Sequence, residues 1–203
     1  MVIKSIRETS YPGMFKVSPE NGAAFFIRKE YLSEVDFDSI NDAADLSEEL
    51  FNKLLDAGFV CVVELKAVQY LARAEQSRFG LTRKLLEKKY NKQYVEMALD
   101  YLESKNYLSD ERFASAWLNS RRINHYEGTS KLKAELQVRG ISREIADKAV
   151  KEFFTENDEF EICKKAYLKF QKAGKDEDKL IASMMKAGFT YKMIKLAKEE
   201  LEE

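Results

Sequence analysis

Six basic residues stand between Arg121 and Arg143 of this 203-residue chain, against two acidic residues in the same interval. Four of the six are arginines, whose planar guanidinium group makes two parallel hydrogen bonds to a carboxylate or a phosphate. A second group of basic residues, from Arg73 to Lys84, precedes this stretch. We predict an anion-binding surface here, the alternative for each single residue being an ordinary solvated helix charge. The candidate residues are Arg73, Arg78, Arg83, Lys84, Arg121, Arg122, Lys131, Lys133, Arg139 and Arg143.

Residue types that could perform catalysis are scarce. His125 is the single histidine, so the chain offers no histidine-rich metal set and no evident nucleophile–histidine pair. Residues 128–131 read Gly-Thr-Ser-Lys, but they lack the earlier glycine and the preceding strand of a phosphate-binding loop. We interpret Gly128 as a spacer and expect Thr129 or Ser130 to cap a helix. The sequence therefore predicts a binding protein without a cofactor, rather than an enzyme.

Charge is unevenly distributed along the chain, although the formal net charge is only −1. Counted as basic minus acidic residues, residues 1–60 carry −5, residues 61–109 carry +3, residues 110–155 carry +2 and residues 156–203 carry −1. All ten basic residues of the last segment are lysines. We therefore expect an anionic partner to meet the two middle segments first, and any DNA binding to be weak and unspecific.

The two cysteines, Cys61 and Cys163, stand far apart in apolar surroundings. They are too few for a disulfide framework or a zinc site, so we expect buried, reduced thiols. The longest apolar run, from Phe59 to Val63, is far too short to span a membrane, and the N-terminus has no apolar run of secretory length. These features predict a soluble, cytoplasmic protein with no membrane partner.

Residues 1–32 contain three short apolar runs separated by turn residues, which predicts a small β-hairpin or meander. Residues 33–46 are acidic and predict a linker with short helical turns. Ser47 and the two glutamates after it mark the start of a helix, which we expect to stop at Gly58. A further helix is expected from within 60–65 to about Gln76. Both prolines lie in the first 32 residues, and a long proline-free remainder favours helix.

An ordered set of six apolar positions occurs three times, the second copy 51 residues after the first and the third 48 residues later. In each set the first two positions lie four residues apart, as do the fourth and fifth, so each pair shares one helix face. The pattern is therefore first a core pattern. The sets are Leu81, Leu85, Tyr90, Tyr94, Ala98 and Leu102; Leu132, Leu136, Ile141, Ile145, Ala149 and Phe153; and Leu180, Met184, Phe189, Met193, Ala197 and Leu201.

Matching helix boundaries accompany the three sets. The residue after the third position is a good N-cap in every copy. The residue before the third position can end a helix in the left-handed conformation where it is glycine. A further helix opens each unit, and its spacing makes Trp117 a core residue rather than a ligand platform. The caps are Asn91, Ser142 and Thr190, and the preceding positions hold Lys89, Gly140 and Gly188.

We therefore predict a mainly α fold of three tandem three-helix repeats after an N-terminal extension. The extension, with its short strands, acidic linker and one helix, is assigned to residues 1–60. The repeats are assigned to residues 61–107, 108–155 and 156–203.

The second repeat resembles a known family. Its residues 107–114 (Tyr-Leu-Ser-Asp-Glu-Arg-Phe-Ala), Gly128, 132–136 (Leu-Lys-Ala-Glu-Leu) and 139–141 (Arg-Gly-Ile) resemble the RecX family of bacterial regulatory proteins. Residues 70–73, Ser77 and 81–85 resemble its first repeat. The resemblance covers roughly residues 67–155, is weaker in 156–203 and is only positional before residue 60. The chain departs from the family at Gly80, where a glutamate usually forms a capping box and where we expect a weakened helix.

The resemblance implies a fold and a function. RecX proteins are elongated, curved arrays of three-helix repeats that bind the RecA recombinase and its filament on single-stranded DNA. They modulate, usually inhibiting, its ATPase and strand-exchange activities. The resemblance supplies no catalytic motif, and we expect a monomer. The competing hypothesis is a stand-alone DNA-binding protein, since three-helix units can resemble helix-turn-helix domains.

Overall fold

The computed structural model describes residues 2–32, 35, 37, 40, 42, 44–122 and 125–202. The predicted fold class is confirmed, because the described residues form three antiparallel strands followed by nine α-helices. Most of the linker predicted for 33–46 lies outside the described residues. The strands are β1 (Ile3–Glu8), β2 (Met14–Pro19) and β3 (Phe25–Arg28). The helices are α1 (Glu48–Leu71), α2 (Arg78–Glu87), α3 (Lys92–Ser104), α4 (Asp110–Arg121), α5 (Thr129–Val138), α6 (Arg143–Glu156), α7 (Glu159–Lys172), α8 (Glu177–Lys186) and α9 (Tyr191–Glu202).

The strands form a meander in the order β1-β2-β3, as the three apolar runs predict. Ile3, Val17 and Ile27 are fully buried, one from each strand. They pack in a common core with Leu54 and Ala57 of α1. The sheet therefore covers the N-terminal half of the first helix.

Helix α1 is continuous through Gly58, so the predicted stop at this glycine is wrong. A Cβ atom at Gly58 would lie 2.9 Å from the ring of Phe25, which shows that the glycine lets the helix approach β3 closely. The helix begins as predicted, with the Ser47 side chain accepting a hydrogen bond from its first turn. It ends at Leu71 instead of continuing to about Gln76. The predicted boundary between residues 60 and 61 therefore falls inside one helix.

A buried ion pair joins the sheet to α1. The guanidinium of Arg28 donates to both carboxylate oxygens of Glu64, at 2.6 and 2.7 Å, and the Tyr31 hydroxyl donates to the same carboxylate at 2.9 Å. The guanidinium also donates to the carbonyl of Pro12 and lies 4.7 Å from the ring centre of Tyr101. Burial and the neighbouring carboxylate raise the pKa of the Tyr31 phenol. Buried charges need such a full set of partners, so this network fixes strand β3 on the helix.

The apolar periodicity identified in the sequence builds three cores. All eighteen predicted positions lie in or against them, one set of six in each core. Each core has a fully buried member from its second helix (α2, α5 or α8), namely Leu85, Leu136 and Met184. Complete burial of one such side chain stabilises the fold by about 1.5–3 kcal/mol.

The helix boundaries of the three sets are confirmed as well. Each predicted cap side chain accepts a hydrogen bond from the first turn of its helix. Each residue before the third apolar position has a positive φ, including the non-glycine residue of the first set. These φ values are 67° for Lys89, 84° for Gly140 and 99° for Gly188.

The N-terminus of α5 is held by the following repeat. Its N-cap is Gly128, which makes no side-chain cap bond, so the prediction of Thr129 or Ser130 as the cap is wrong. The backbone amide and the hydroxyl of Thr129 instead donate to the carboxylate of Glu159, at 2.7 and 2.9 Å. The Ser130 hydroxyl donates to the carbonyl of Gly188 at 2.8 Å. A Cβ at Gly128 would lie 2.6 Å from that carbonyl oxygen, so only glycine fits there.

The first turn of α2 is held in the same way. The backbone amide of Arg78 donates to the carboxylate of Asp110 at 2.8 Å, and the Ser77 hydroxyl donates to the carbonyl of Arg139 at 2.8 Å. Phe79 packs on Gly140, where a Cβ would lie 2.2 Å from the Phe79 Cβ. We call this arrangement the carboxylate–glycine joint. In each joint, the first turn of a repeat's second helix (α2 or α5) binds a carboxylate at the start of the next repeat's first helix (α4 or α7). The same turn packs against a left-handed glycine of that next repeat (Gly140 or Gly188).

Contacts divide the chain into two compact units. The first comprises the residues up to Ala74 together with Leu81–Leu108, and it holds the sheet core and the first helical core. The second comprises Glu75–Gly80 and the residues from Ser109 onward, and it holds the other two helical cores. The repeat boundaries assigned after residues 107 and 155 stay predictions.

The cysteines are buried and free, in agreement with the sequence expectation. Burial raises the pKa of the Cys61 thiol to about 12 and that of the Cys163 thiol to about 11. Across the described ranges, no helix combines the length and apolar character needed to cross a membrane.

A methyl group at Gly188 tests the carboxylate–glycine joint. Gly188→Ala should cost about 1–2 kcal/mol for the left-handed backbone, plus about 1–3 kcal/mol for overpacking, because its Cβ would lie 2.6 Å from the Lys131 amide nitrogen. Gly174→Ala is the matched control, since Gly174 has φ 70° and its Cβ would meet nothing within 4 Å. Urea unfolding should show a larger decrease in the free energy of unfolding for Gly188→Ala than for Gly174→Ala. Equal decreases would contradict the joint.

The thiols should resist modification in the folded protein. Because both pKa values are raised, both groups stay protonated at pH 8, and thiolate is the reactive form. Reaction with an aromatic disulfide reagent should be slow in buffer and complete within minutes in guanidinium chloride. Rapid labelling of either thiol in buffer would show that this thiol is accessible to solvent and not buried.

Candidate partner-binding surface

The predicted site residues concentrate on the second helices and on the ends of their neighbours. Helix α2 carries three basic residues and one acidic residue, and α5 carries two basic residues and one acidic residue. The third helices are different: α3 has one basic and three acidic residues, α6 three and four, and α9 three and three. Positive charge therefore follows the second helix of the first two sets.

A half-buried ion-pair triad connects α4 to α5. Arg121 donates to the two oxygens of the Glu127 carboxylate at 2.9 and 2.8 Å, which is the bidentate geometry that arginine favours. The Lys131 ammonium lies 2.8 Å from the same carboxylate, whose side chain is only 7% exposed. Burial alone would raise the pKa of Glu127, but the hydrogen bonds and charges of its two cations outweigh it and lower the pKa. Two predicted site residues thus share one buried anion.

Trp117 lies between two of the predicted arginines. The Arg139 and Arg121 guanidinium carbons lie 4.6 and 5.4 Å from its ring centre, within the range of cation–π attraction. Arg139 also donates to the carbonyl and the carboxylate of Glu135, both at 2.6 Å. The ring packs on the second helical core with one part exposed, so the core interpretation of Trp117 holds only in part. We call Trp117, Arg121, Glu127, Lys131, Glu135 and Arg139 the arginine–tryptophan network.

A second carboxylate takes up two further predicted residues. The Lys133 ammonium lies 2.7 Å and the Arg143 Nε lies 3.8 Å from the Asp147 carboxylate. The hydrogen bond from Lys133 is the main cause that lowers the pKa of Asp147. Arg143 keeps 84% of its side chain exposed. It therefore remains available to a partner, whereas Lys133 is engaged across α5 and α6.

Arg122 is the most available of the predicted cations in the second unit. It is exposed and follows the last residue of α4, with its backbone amide bound to the Asn119 carbonyl. Its guanidinium bonds to no residue in the part of the chain that the structure describes. A cation at a helix C-terminus also faces the negative end of the helix dipole. Of the six basic residues between Arg121 and Arg143, Arg122 and Arg143 are thus the two that can meet an external anion.

The remaining predicted residues lie elsewhere. In the first unit, Arg73 is exposed after α1, Arg83 forms a long 3.8 Å pair with Glu87, and the Lys84 ammonium lies over the Tyr70 ring. Arg78 is half-buried, and its backbone belongs to the joint described above. The structure brings Arg121, Lys131 and Arg139 together around Glu127 and Trp117, and the other predicted residues lie outside this group.

Metal chemistry has no evident place among the described residues. They contain no group of three or more His, Cys, Asp or Glu side chains positioned to hold a metal ion. His125 is exposed. The arrangement of the second unit can instead bind carboxylate or phosphate oxygens, because its guanidinium groups are already oriented by Glu127, Glu135 and Trp117.

Removing the charge of Glu127 tests the triad. Glu127→Gln should lower the free energy of unfolding by about 1–3 kcal/mol at pH 7, because two half-buried cations lose their anion. Since the folded pKa is depressed, the contribution is complete above the ordinary carboxylate pKa and is lost as the pH falls through the folded value. In urea unfolding, the difference in free energy of unfolding between the wild type and the variant should therefore be smaller at about pH 3.5 than at pH 7. Glu152→Gln, at an exposed position of α6, should have little effect at either pH, and a pH-independent gap would contradict the assignment.

Known proteins resemble the chain in sequence and in fold. A family model described as "RecX, second three-helix domain" matches residues 109–150. The regulatory protein RecX of Chlorobium limicola is 35% identical over 135 residues, which are 64% of this chain and 82% of that protein. The regulatory protein RecX of Treponema pallidum is 32% identical over 132 residues, covering 65% of this chain and 80% of the relative.

Two solved structures share the fold. A crystal structure of regulatory protein RecX superposes with a TM-score of 0.78 at 19% identity, covering 98% of this chain and all of the other. The crystal structure of RecX from Lactobacillus salivarius gives a TM-score of 0.61 at 19% identity, covering 71% of this chain and 97% of that one. The sequence relatives, the matched second domain and the repeated three-helix cores lead to one conclusion: this chain belongs to the RecX family of regulatory proteins.

Proposed function

We propose that this chain binds the RecA recombinase on single-stranded DNA in the cytoplasm and inhibits its ATPase and strand-exchange activities. The observation that carries the proposal is family membership, given by a 35% identical regulatory protein RecX of which the chain covers 82%. The repeated helical architecture supports it, since stacked helical repeats provide extended surfaces for large protein partners.

The arginine–tryptophan network and Arg122 are the surface we assign to the partner. Trp and Arg are the residue types that most often dominate protein interfaces. Trp117 is partly exposed, and its two flanking guanidinium groups are held by internal carboxylates before a partner arrives. Such preorganisation reduces the entropy lost on binding. The expected contacts on the partner are carboxylates, which match arginine in geometry and charge.

The charge of the third helices disfavours the competing DNA-binding hypothesis. In helix-turn-helix proteins the recognition helix enters the major groove of a polyanion. Helix α6, the third helix of the family-matched domain, carries three basic and four acidic side chains, and α3 carries one and three. Neither provides the basic face that such docking requires. The basic residues also stand next to internal carboxylates, which suits a protein partner better.

Two measurements separate the hypotheses. The purified chain should lower DNA-dependent ATP hydrolysis by RecA at near-stoichiometric or lower ratios. Titration of single- and double-stranded DNA without RecA, at two salt concentrations, should show weak binding that salt abolishes. Tight DNA binding combined with an unchanged ATPase rate would replace the proposal with the stand-alone DNA-binding function.

Charge reversal at Arg122 tests the assigned surface. Arg122→Glu should raise the concentration for half-inhibition of RecA about 3- to 10-fold, as expected for a loss on the order of 1 kcal/mol at an interface rim. Lys192→Glu makes the same charge change at an exposed position of α9 and should leave inhibition unchanged. Thermal unfolding of both variants should match the wild type. Equal effects of the two substitutions on inhibition would remove Arg122 from the interface.

A further inference from the structure

The outward side of α1 changes character along the helix. Its exposed positions are polar in the N-terminal half (Glu48, Glu49, Asn52 and Asp56), whereas in the C-terminal half they are four large apolar residues and Gln69. These four recur every three residues, so they form a continuous diagonal row that turns around the outward half of the helix. We call them the α1 apolar face. Its members are Phe59 (54% exposed), Val62 (51%), Leu65 (41%) and Val68 (40%).

The first unit does not need this face for its own packing. Val60, Val63 and Ala67, on the opposite side of α1, are buried in the first helical core. The four exposed residues continue the solvent-facing side of α1, but they are apolar. This is notable on the surface of a chain in which 34% of residues are charged. Isolated exposed apolar residues are ordinary, but a contiguous set marks an interaction surface.

One end of the face is held in a fixed orientation. The Phe59 ring stacks on Tyr94, with 5.7 Å between ring centres and 15° between planes. The Tyr94 hydroxyl donates to the Asp56 carboxylate at 2.5 Å. An exposed phenylalanine is thus positioned by a neighbour on α3, as an aromatic anchor at an interface requires.

The size and shape of the face indicate what can cover it. The exposed fractions amount to roughly 300 Å² of apolar surface, well below the about 800 Å² per partner of a stable interface. A stable homodimer through this face alone is therefore disfavoured. From Phe59 to Val68 the row advances about 14 Å along α1, at 1.5 Å per residue, and it is one side chain wide. This form matches a second helix that crosses α1 obliquely and packs its apolar stripe against the row.

The charge beside the face adds a requirement. Lys66 lies next to the stripe, its ammonium donating to the Gln69 side chain at 3.1 Å and resting 5.4 Å from the Tyr70 ring centre. Among the described residues, no carboxylate forms an ion pair with it. A partner helix with a carboxylate at the margin of its apolar stripe would satisfy this cation.

We propose that the α1 apolar face docks an amphipathic helix of a protein partner, with an acidic side chain of that helix on Lys66. The proposal does not depend on the identity of the partner named above. It assigns a second binding surface to the first unit, apolar where the surface of the second unit is cationic.

The test uses the full chain labelled with ¹⁵N and two hydrocarbon-stapled peptides of about 15 residues, three to four helical turns. Both peptides carry leucine at i, i+4, i+7 and i+11, and they are bordered by glutamates in one and by lysines in the other. The glutamate peptide should shift the amide signals of residues 59–69 and bind at least 3-fold more tightly than the lysine peptide. Lys66→Glu should reverse this preference.

Val62→Lys should reduce binding of the glutamate peptide at least 10-fold. Val138→Lys is the matched control, because Val138 is 75% exposed on α5 and lies outside the proposed face. Sedimentation of the free chain checks whether a second copy occupies the face instead. Equal binding by the two valine variants, no binding of the glutamate peptide, or a dimer that Val62→Lys dissociates would each overturn the proposal.

Discussion

The constraint on which the helical part of the structure depends is the need of helix N-termini for hydrogen-bond acceptors. The first amides of a helix have no partner within it. In α5 the first amide is satisfied by Glu159, and in α2 by Asp110, both side chains of the next opening helix. A local requirement of one helix is thereby met by the following repeat. Gly140 and Gly188 complete the arrangement, because a left-handed turn without a side chain leaves room for the Phe79 side chain at Gly140 and for the backbone of Lys131 at Gly188.

Periodicity was sufficient to predict most of the helical fold. The core positions follow from the 3.6-residue repeat, and the caps follow from the chemistry of short polar side chains, so both are local information. Gly58 was misinterpreted because its reason lies in a distant contact with Phe25 rather than in a helix end. The Arg28–Glu64 pair joins residues 36 positions apart and leaves no local signal. Tertiary contacts of this kind are absent from a helical pattern.

The candidate surface was predictable only in part, for a related reason. The arginine-rich stretch was visible in composition, and the pair of Glu127 with Lys131 follows the i, i+4 spacing that a helical pattern contains. The bond from Arg121 to Glu127 crosses the α4–α5 connection, and the contact of Arg139 with Trp117 crosses between helices. The sequence alone therefore overestimated the number of cations that are not paired with an internal carboxylate. The folded surface is a set of oriented guanidinium groups with compensating carboxylates, which favours a shaped protein partner over a uniform polyanion.

The carboxylate–glycine joint also bears on how such arrays grow during evolution. Helix α8 differs from α5, because its first turn is capped by its own Asp176, whose carboxylate accepts the Lys179 amide at 3.0 Å. Helix α2 combines both features, because the Ser77 hydroxyl accepts the Gly80 amide at 3.0 Å while the Asp110 carboxylate accepts the Arg78 amide. A local cap and a carboxylate from the next repeat therefore use different donors at the start of one helix. Either feature can be gained or lost without the other, so the local stability of a helix and its coupling to the next repeat can change independently during evolution.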